Sequence, residues 1–238
     1  MKKQFFLALV LTGFVSVVNV AVASGEVELE KQDWPFNSIT HNWDKAQLMR
    51  GYQVATQVCL TCHSFKYIKH RHLQEVGFTE DEAKKLAMQL DMKPEDALMS
   101  ALSPTDGAEL YGKELPDLSV ITLAREGGPN YVYGVLTGYE EAPEGFDLPK
   151  GAHYNKVFPG HAIAMPQPLR EAGQVQFFDN EDATVEDMAR DVVYFLTWAA
   201  EPAKMERQHM GIFVIFYLMI LAILLYKTKK SIWKDVKK

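Results

Sequence analysis

Apolar residues recur at helical spacing in several separate stretches of the chain. Ala46, Met49, Tyr52, Ala55 and Val58 fall on one face, which predicts a helix that starts at Asn42 or Asp44 and runs into Cys59. Thr79 followed by Glu82 is a capping-box pattern, opening a second helix that extends to about Leu90. Pro94 suits the first turn of a third, ending near Leu102. Asn130 to Thr137 reads as a short helix stopped by Gly138. The strongest pattern comes last. Behind the cap Thr184, residues Val185, Met188, Ala189, Val192, Leu196 and Ala199 share a face, and the helix must end before Pro202. Between these stretches, 24–40 is polar and expected to be extended, and 103–118 reads as loop. Residues 139–173 carry five prolines and are expected to be irregular. No stretch shows the alternation of a substantial sheet, so the expected fold class is all-α with long loops.

Two apolar runs do not belong to that domain. Lys2 and Lys3 precede a run from Phe5 to Val18, and Ala21-Val22-Ala23 offers small residues for cleavage, the layout of a secretory signal peptide over 1–23. Met210 to Tyr226 is a run of 17 residues without a charge. As a helix it rises about 25 Å at ~1.5 Å per residue, and the snorkelling Lys227 and interfacial Trp233 extend it toward a ~30 Å hydrocarbon core. Lysines dominate 227–238, which predicts a cytoplasmic tail there and an exported domain over 24–209.

Within 24–209 there are 17 Lys and Arg against 30 Asp and Glu, a net charge of −13, whereas the whole sequence has −6. Such a surface disfavours nucleic acid and favours a basic protein partner.

The chain has two cysteines, Cys59 and Cys62, and His63 follows at once. In Cys-x-x-Cys-His two thiols add across the two vinyl groups of haem, and the adjacent imidazole reaches the iron from one face. A redox dithiol requires a βαβ context that the pattern lacks. A zinc site requires two more ligands, and His70 and His72 stand too close to each other for the usual spacing. With an export signal in front, covalent haem c is the expected cofactor.

The sixth iron position must be filled from elsewhere. Met188 is expected in a helix core and Met49 within the helix leading to the motif. Met88, Met92 and Met99 fall in stretches expected to be helical, where packing is the commoner use. Met165 lies in Phe158-Pro159-Gly160-His161-Ala162-Ile163-Ala164-Met165-Pro166, an extended proline-bounded loop suited to cover a haem face. His161 competes with it in the same loop. Methionine sulfur there raises the reduction potential, and a second imidazole lowers it. Arg125, before Gly127-Gly128-Pro129, and Tyr131 are candidates to neutralise the haem propionates.

Several stretches go beyond general haem attachment: Arg50-Gly51-Tyr52-Gln53-Val54, Tyr67 to Leu73, Phe78 to Lys84, Pro116-Asp117-Leu118-Ser119, Arg125 to Tyr139, Phe158 to Met165, and Trp198 to Pro202. Through them the chain resembles the cytochrome c1 family over nearly its whole mature length. The stretch Glu109 to Pro116 departs from the usual family pattern, and the insertion that precedes it is shortened. The resemblance implies a class I cytochrome c-like domain with a C-terminal transmembrane anchor and one haem c. It also implies His63 and Met165 as axial ligands, with Arg125 and Tyr131 at the propionates. It implies membership of a dimeric quinol–cytochrome c reductase in the bacterial inner membrane, beside cytochrome b, with a Rieske iron–sulfur protein as donor and a c-type cytochrome as acceptor. The rival readings are a membrane-anchored cytochrome serving a terminal oxidase and a haem enzyme with an open iron position.

Overall fold

The computed structural model describes residues 29–178 and 182–236, so the expected signal segment lies outside the described residues. Helix α1 spans Lys45–Gln57, with the Asp44 carboxylate accepting the Ala46 amide at 2.9 Å as its cap. After the haem-attachment motif come strand β1 (Phe65–Lys69), the single turn α2 (Leu73–Val76) and helix α3 (Glu80–Gln89). The capping box is formed: the Thr79 amide donates to Glu82 at 2.7 Å, and the Glu82 amide to Thr79 at 3.3 Å.

The stretch behind Pro94 is not a helix. Pro94 opens a turn, and Ala97–Leu98 forms strand β2, antiparallel to β1 with a bulge between the pairs. Pairing with a strand some 30 residues earlier won over a local propensity. The helix lies further on instead, as α4 (Pro104–Tyr111), inside the stretch expected to be loop. Ser103 caps it, Pro104 takes its first turn, and Gly112 at φ +72 ends it in the left-handed conformation open to glycine. Helix α5 (Gly128–Thr137) follows, then the short antiparallel strands β3 (His153–Tyr154) and β4 (Ala162–Ile163) within the irregular region.

Helix α6 (Val185–Ala200) is buried along nearly its whole length, with Tyr194, Phe195 and Val193 fully enclosed. It crosses α1 at Gly51, where an added Cβ would meet the Asp191 carbonyl oxygen and lie 2.6 Å from the Phe195 Cβ. Glycine is therefore what lets the two backbones approach. Beside the crossing, Arg50 pairs with Asp191 at 2.7 Å. Burial still holds the Asp191 pKa above the usual carboxylate value, against the pull of Arg50. The Tyr194 hydroxyl accepts the Asp44 amide at 2.9 Å, tying the start of α1 to the middle of α6.

The described part of the N-terminal arm is not simply extended. Pro35–Asn37 makes a 3-10 turn that buries Trp34 and Phe36, stacked 5.3 Å apart, and the Trp34 indole donates to Asn130 Oδ1 at 2.7 Å. Two aromatics in a polar stretch gain more by burial than the chain loses by turning.

Helix α7 (Lys204–Ile232) is a continuous helix of 29 residues, and no residue of its most apolar 18-residue window is buried. A soluble core helix of that hydropathy would be covered, so length and exposure together fit a membrane span. The helix is about 43 Å long at ~1.5 Å per residue, longer than the hydrocarbon core alone requires. Its first turn docks on the domain: Met205 is buried, and the Lys204 ammonium lies 5.0 Å from the Phe36 ring centre. The described residues are thus mainly helical, with two two-stranded ladders and one long apolar helix among them, toward the C-terminal end.

Candidate functional site

Helix α1 delivers the attachment motif directly. Its last turn passes into a 3-10 turn at Cys59–Thr61, closed by the Cys62 and His63 amides, which donate to the Cys59 carbonyl at 3.1 and 2.8 Å. The turn is clasped on both sides. The Ala101 amide donates to the Leu60 carbonyl at 3.1 Å, Leu102 to Thr61 at 3.2 Å, and Leu118 to Ser64 at 2.9 Å. Cys59 and Cys62 form no disulfide with each other, and burial, with Cys62 adding to it, pushes the pKa of a Cys59 thiol up to about 12. The His63 Nδ1 lies 2.8 Å from the Pro116 carbonyl oxygen. That bond makes Nδ1 the protonated nitrogen and leaves Nε2 with its lone pair, as a ligating imidazole requires. Burial lowers the His63 pKa and so favours the neutral ring, against the Pro116 hydrogen bond and the Asp117 charge.

The motif faces an apolar cavity of about 900 Å³, at the upper end of the size of small-molecule and cofactor pockets. Leu118, Ile121, Val132, Leu136, Val192 and Leu196 supply much of its apolar wall. Cys59, Cys62, His63, Arg125, Tyr131 and Met165, the six residues singled out from the sequence, all line it. The donor set fits a covalent haem: two thiols and an imidazole on one wall, a thioether on another, and cations at the margin. Among the lining residues His63 is the only histidine and Met165 the only methionine.

His161 does not line the cavity. Its backbone has φ +57, its ring stacks on Tyr154 with centres 5.6 Å apart, and its Nδ1 lies 3.2 Å from the Asn155 carbonyl. The other methionines also lie elsewhere, partly for reasons the periodicity did not anticipate. Met188 is fully buried in α6 as expected, but Met88 is 66% exposed on α3. Met92 and Met99 are in no helix, and Met99 is exposed just beyond β2. His70 and His72 are engaged in local structure. His70 Nδ1 lies 3.1 Å from the Asp96 carbonyl, and His72 Nδ1 accepts the Lys69 amide at 3.2 Å. Among the described residues no three His, Cys, Asp or Glu side chains converge as a metal-ion site.

Arg125 is exposed, with one guanidinium N–H donating to the Ala124 carbonyl at 3.0 Å. Burial raises the Tyr131 pKa, and the Arg125 charge opposes it, so the two groups share one electrostatic neighbourhood. Sequence reasoning missed two further cations on the cavity wall, Lys113 and Arg170, and the role of the departing 109–116 stretch, whose Tyr111, Lys113, Leu115 and Pro116 line the cavity. It also missed Asn155, which is fully buried behind the Met165 loop. Its side-chain amide donates to the Val135 carbonyl at 2.8 Å, and its Oδ1 accepts the Val157 and Phe158 amides, each at 3.0 Å.

The Cytochrome C1 family model matches residues 34–236. The chain is 36% identical to cytochrome c1 of Rhodospirillum rubrum over 97% of both chains. It is 38% identical to the mitochondrial haem protein cytochrome c1-2 of Solanum tuberosum, over 95% of this chain and 94% of that one. It is 37% identical to the protein named cytochrome b/c1 of Bradyrhizobium diazoefficiens, over 85% of this chain and 35% of that longer one. Matches of this length and identity leave one conclusion: the chain belongs to the cytochrome c1 family, the haem c-carrying electron-transfer subunits of the bc1 oxidoreductase.

Proposed function

We propose that the domain accepts one electron from a Rieske iron–sulfur protein and passes it to a c-type cytochrome, with His63 and Met165 as the axial ligands of its haem. The observation that carries this reading is the cavity wall, where one imidazole and one thioether are the only such groups present. When bound, haem c supplies a one-electron couple at its iron. Cys59 and Cys62 would hold the macrocycle by thioether bonds. His63 offers Nε2 while Pro116 fixes its tautomer. Met165 would supply a second ligand, a sulfur that favours the reduced state and so a high potential. Arg125 and Tyr131 would neutralise the propionates, and an iron held by both an imidazole and a thioether would have no open position for substrate, which suits transfer better than bond chemistry.

The domain over 24–209 would stand on the periplasmic side of the bacterial inner membrane, with 210–226 in contact with lipid and the lysine-rich 227–238 in the cytoplasm. The excess of acidic side chains favours a basic acceptor, at a rate that falls with ionic strength. Cytochrome b is the natural neighbour of the anchor, in a dimeric complex. The name of the Bradyrhizobium relative, which joins b and c1, supports that pairing. Purification of the full chain through a C-terminal tag in mild detergent tests it. Cytochrome b and a Rieske protein should co-purify in fixed proportion. Recovery with a terminal oxidase instead would favour the oxidase-donor reading.

A further inference from the structure

The Met165 loop has little regular structure to hold it, yet its end is tied at a single point. The Tyr139 hydroxyl donates to the Met165 carbonyl at 3.1 Å. Among the described residues this is the one hydrogen bond made by the Met165 main chain, β4 having already ended. Tyr139 is itself well anchored. It sits just past the end of α5 and forms an isolated antiparallel bridge with Asn155, beside which the Lys156 amide donates to the Gly138 carbonyl at 2.9 Å. Its ring packs with Met165, Phe158 and Tyr131 around Val135, Val157 and Ile163. Asn155 pins the start of the same loop to α5 through Val135 and clasps its middle through His161, whose carbonyl accepts the Asn155 amide at 3.0 Å. The loop is therefore held at its start and middle by Asn155 and at its ligand end by Tyr139.

We propose that Tyr139 is a positioning residue for the sixth iron ligand: its hydroxyl holds the Met165 backbone so that the sulfur stays over the cavity. This rests on reading Met165 as the axial ligand. A thioether is a weak, neutral ligand at the end of a flexible side chain, so the residence of sulfur on iron depends on how narrowly its backbone is confined. Releasing the carbonyl widens that range without touching the haem, the thioether bonds or His63. The open population rises, and any added ligand that needs the vacated position binds in proportion to it.

The test uses the full-length holoprotein in detergent, with imidazole as the probe titrated into the ferric form. Tyr139→Phe keeps the ring and deletes the hydroxyl. Its apparent affinity for imidazole should rise about fivefold, the effect of one ordinary hydrogen bond on an equilibrium. The far-red sulfur-to-iron charge-transfer band should weaken on mild warming before the parent's does. Tyr154→Phe removes a nearby hydroxyl that makes no hydrogen bond to Met165, and it should match the parent. Met165→Leu should bind imidazole far more tightly than either, and adding Tyr139→Phe to it should change nothing further. An unchanged affinity in Tyr139→Phe overturns the proposal, and so does an equal rise in the parent and Met165→Leu backgrounds, which would mark Tyr139 as part of the general framework. If Met165→Leu itself fails to raise imidazole affinity, the fault lies with the ligand assignment and not with the Tyr139 tether.

Discussion

The Cys59–His63 wall of the cavity hangs from the crossing of α1 and α6, whereas the Val157–Pro166 wall contains no regular element longer than two residues. On the first wall, position follows from packing. Leu48, Val54 and Ala55 of α1 and Tyr194, Phe195 and Trp198 of α6 are buried together, and Gly51 brings the backbones into contact. On the second, position follows from a few named hydrogen bonds, chiefly those of Asn155 and Tyr139. A packed wall resists small changes and fails as a unit, because each side chain supports many others. A hydrogen-bonded loop fails one contact at a time. The first arrangement suits permanent covalent attachment, and the second suits a ligand whose bond strength sets a potential.

The largest break in this comparison comes from the attachment wall. Replacing Cys59 and Cys62 together by Ala should abolish covalent haem and leave a poorly folded apoprotein, since the cavity walls would lose the group they enclose. Haem staining of a denaturing gel reads this directly, and a stained band from the double mutant would overturn the assignment. Next in size is Gly51→Ala. The added methyl meets the Asp191 carbonyl, so the helices must separate, at a cost of about 3 kcal/mol, typical of overpacking. Denaturant unfolding of the holoprotein should show the loss while the midpoint potential stays near the parent's. A large change in potential with unchanged stability would mean that the crossing tunes the iron and does not merely hold the motif. The smallest effect is expected at the margin. Arg125→Gln removes a cation, which should lower the midpoint potential because nearby positive charge disfavours ferric iron. An unchanged or raised value in redox titration would return Arg125 to an ordinary surface role, with Lys113 and Arg170 as the remaining cations on the wall.

The same contrast explains what could be read in advance. The starts of α1, α3 and α6 were legible because Asp44, Thr79 and Thr184 act on amides two or three residues away. The attachment wall was legible because its chemistry is contiguous in Cys59, Cys62 and His63. Pro94 misled because a proline that suits a first helical turn also suits an ordinary turn, and the pairing of β1 with β2 is not local. Helix α4 escaped notice because its apolar face is nearly absent: Leu110 is exposed, and Gly107 is its only buried residue. The loop wall was legible only as a choice between Met165 and His161. Tyr139 and Asn155 act on carbonyls and amides far along the chain, which leaves no spacing to detect.

The central claim is that Met165, and not His161, completes the iron coordination opposite His63. Met165→Leu keeps apolar bulk and removes the sulfur, and His161→Leu serves as its partner experiment. Redox titration of both, with carbon monoxide added to the ferrous forms, decides between them. Met165→Leu should lower the midpoint potential by roughly a hundred millivolts or more, within the ≈ 0.8 V over which axial ligands tune haem. It should also admit carbon monoxide, which the parent refuses. His161→Leu should leave both properties close to the parent's. If His161→Leu opens the iron and Met165→Leu does not, the haem is bis-histidine ligated and the high-potential account is wrong.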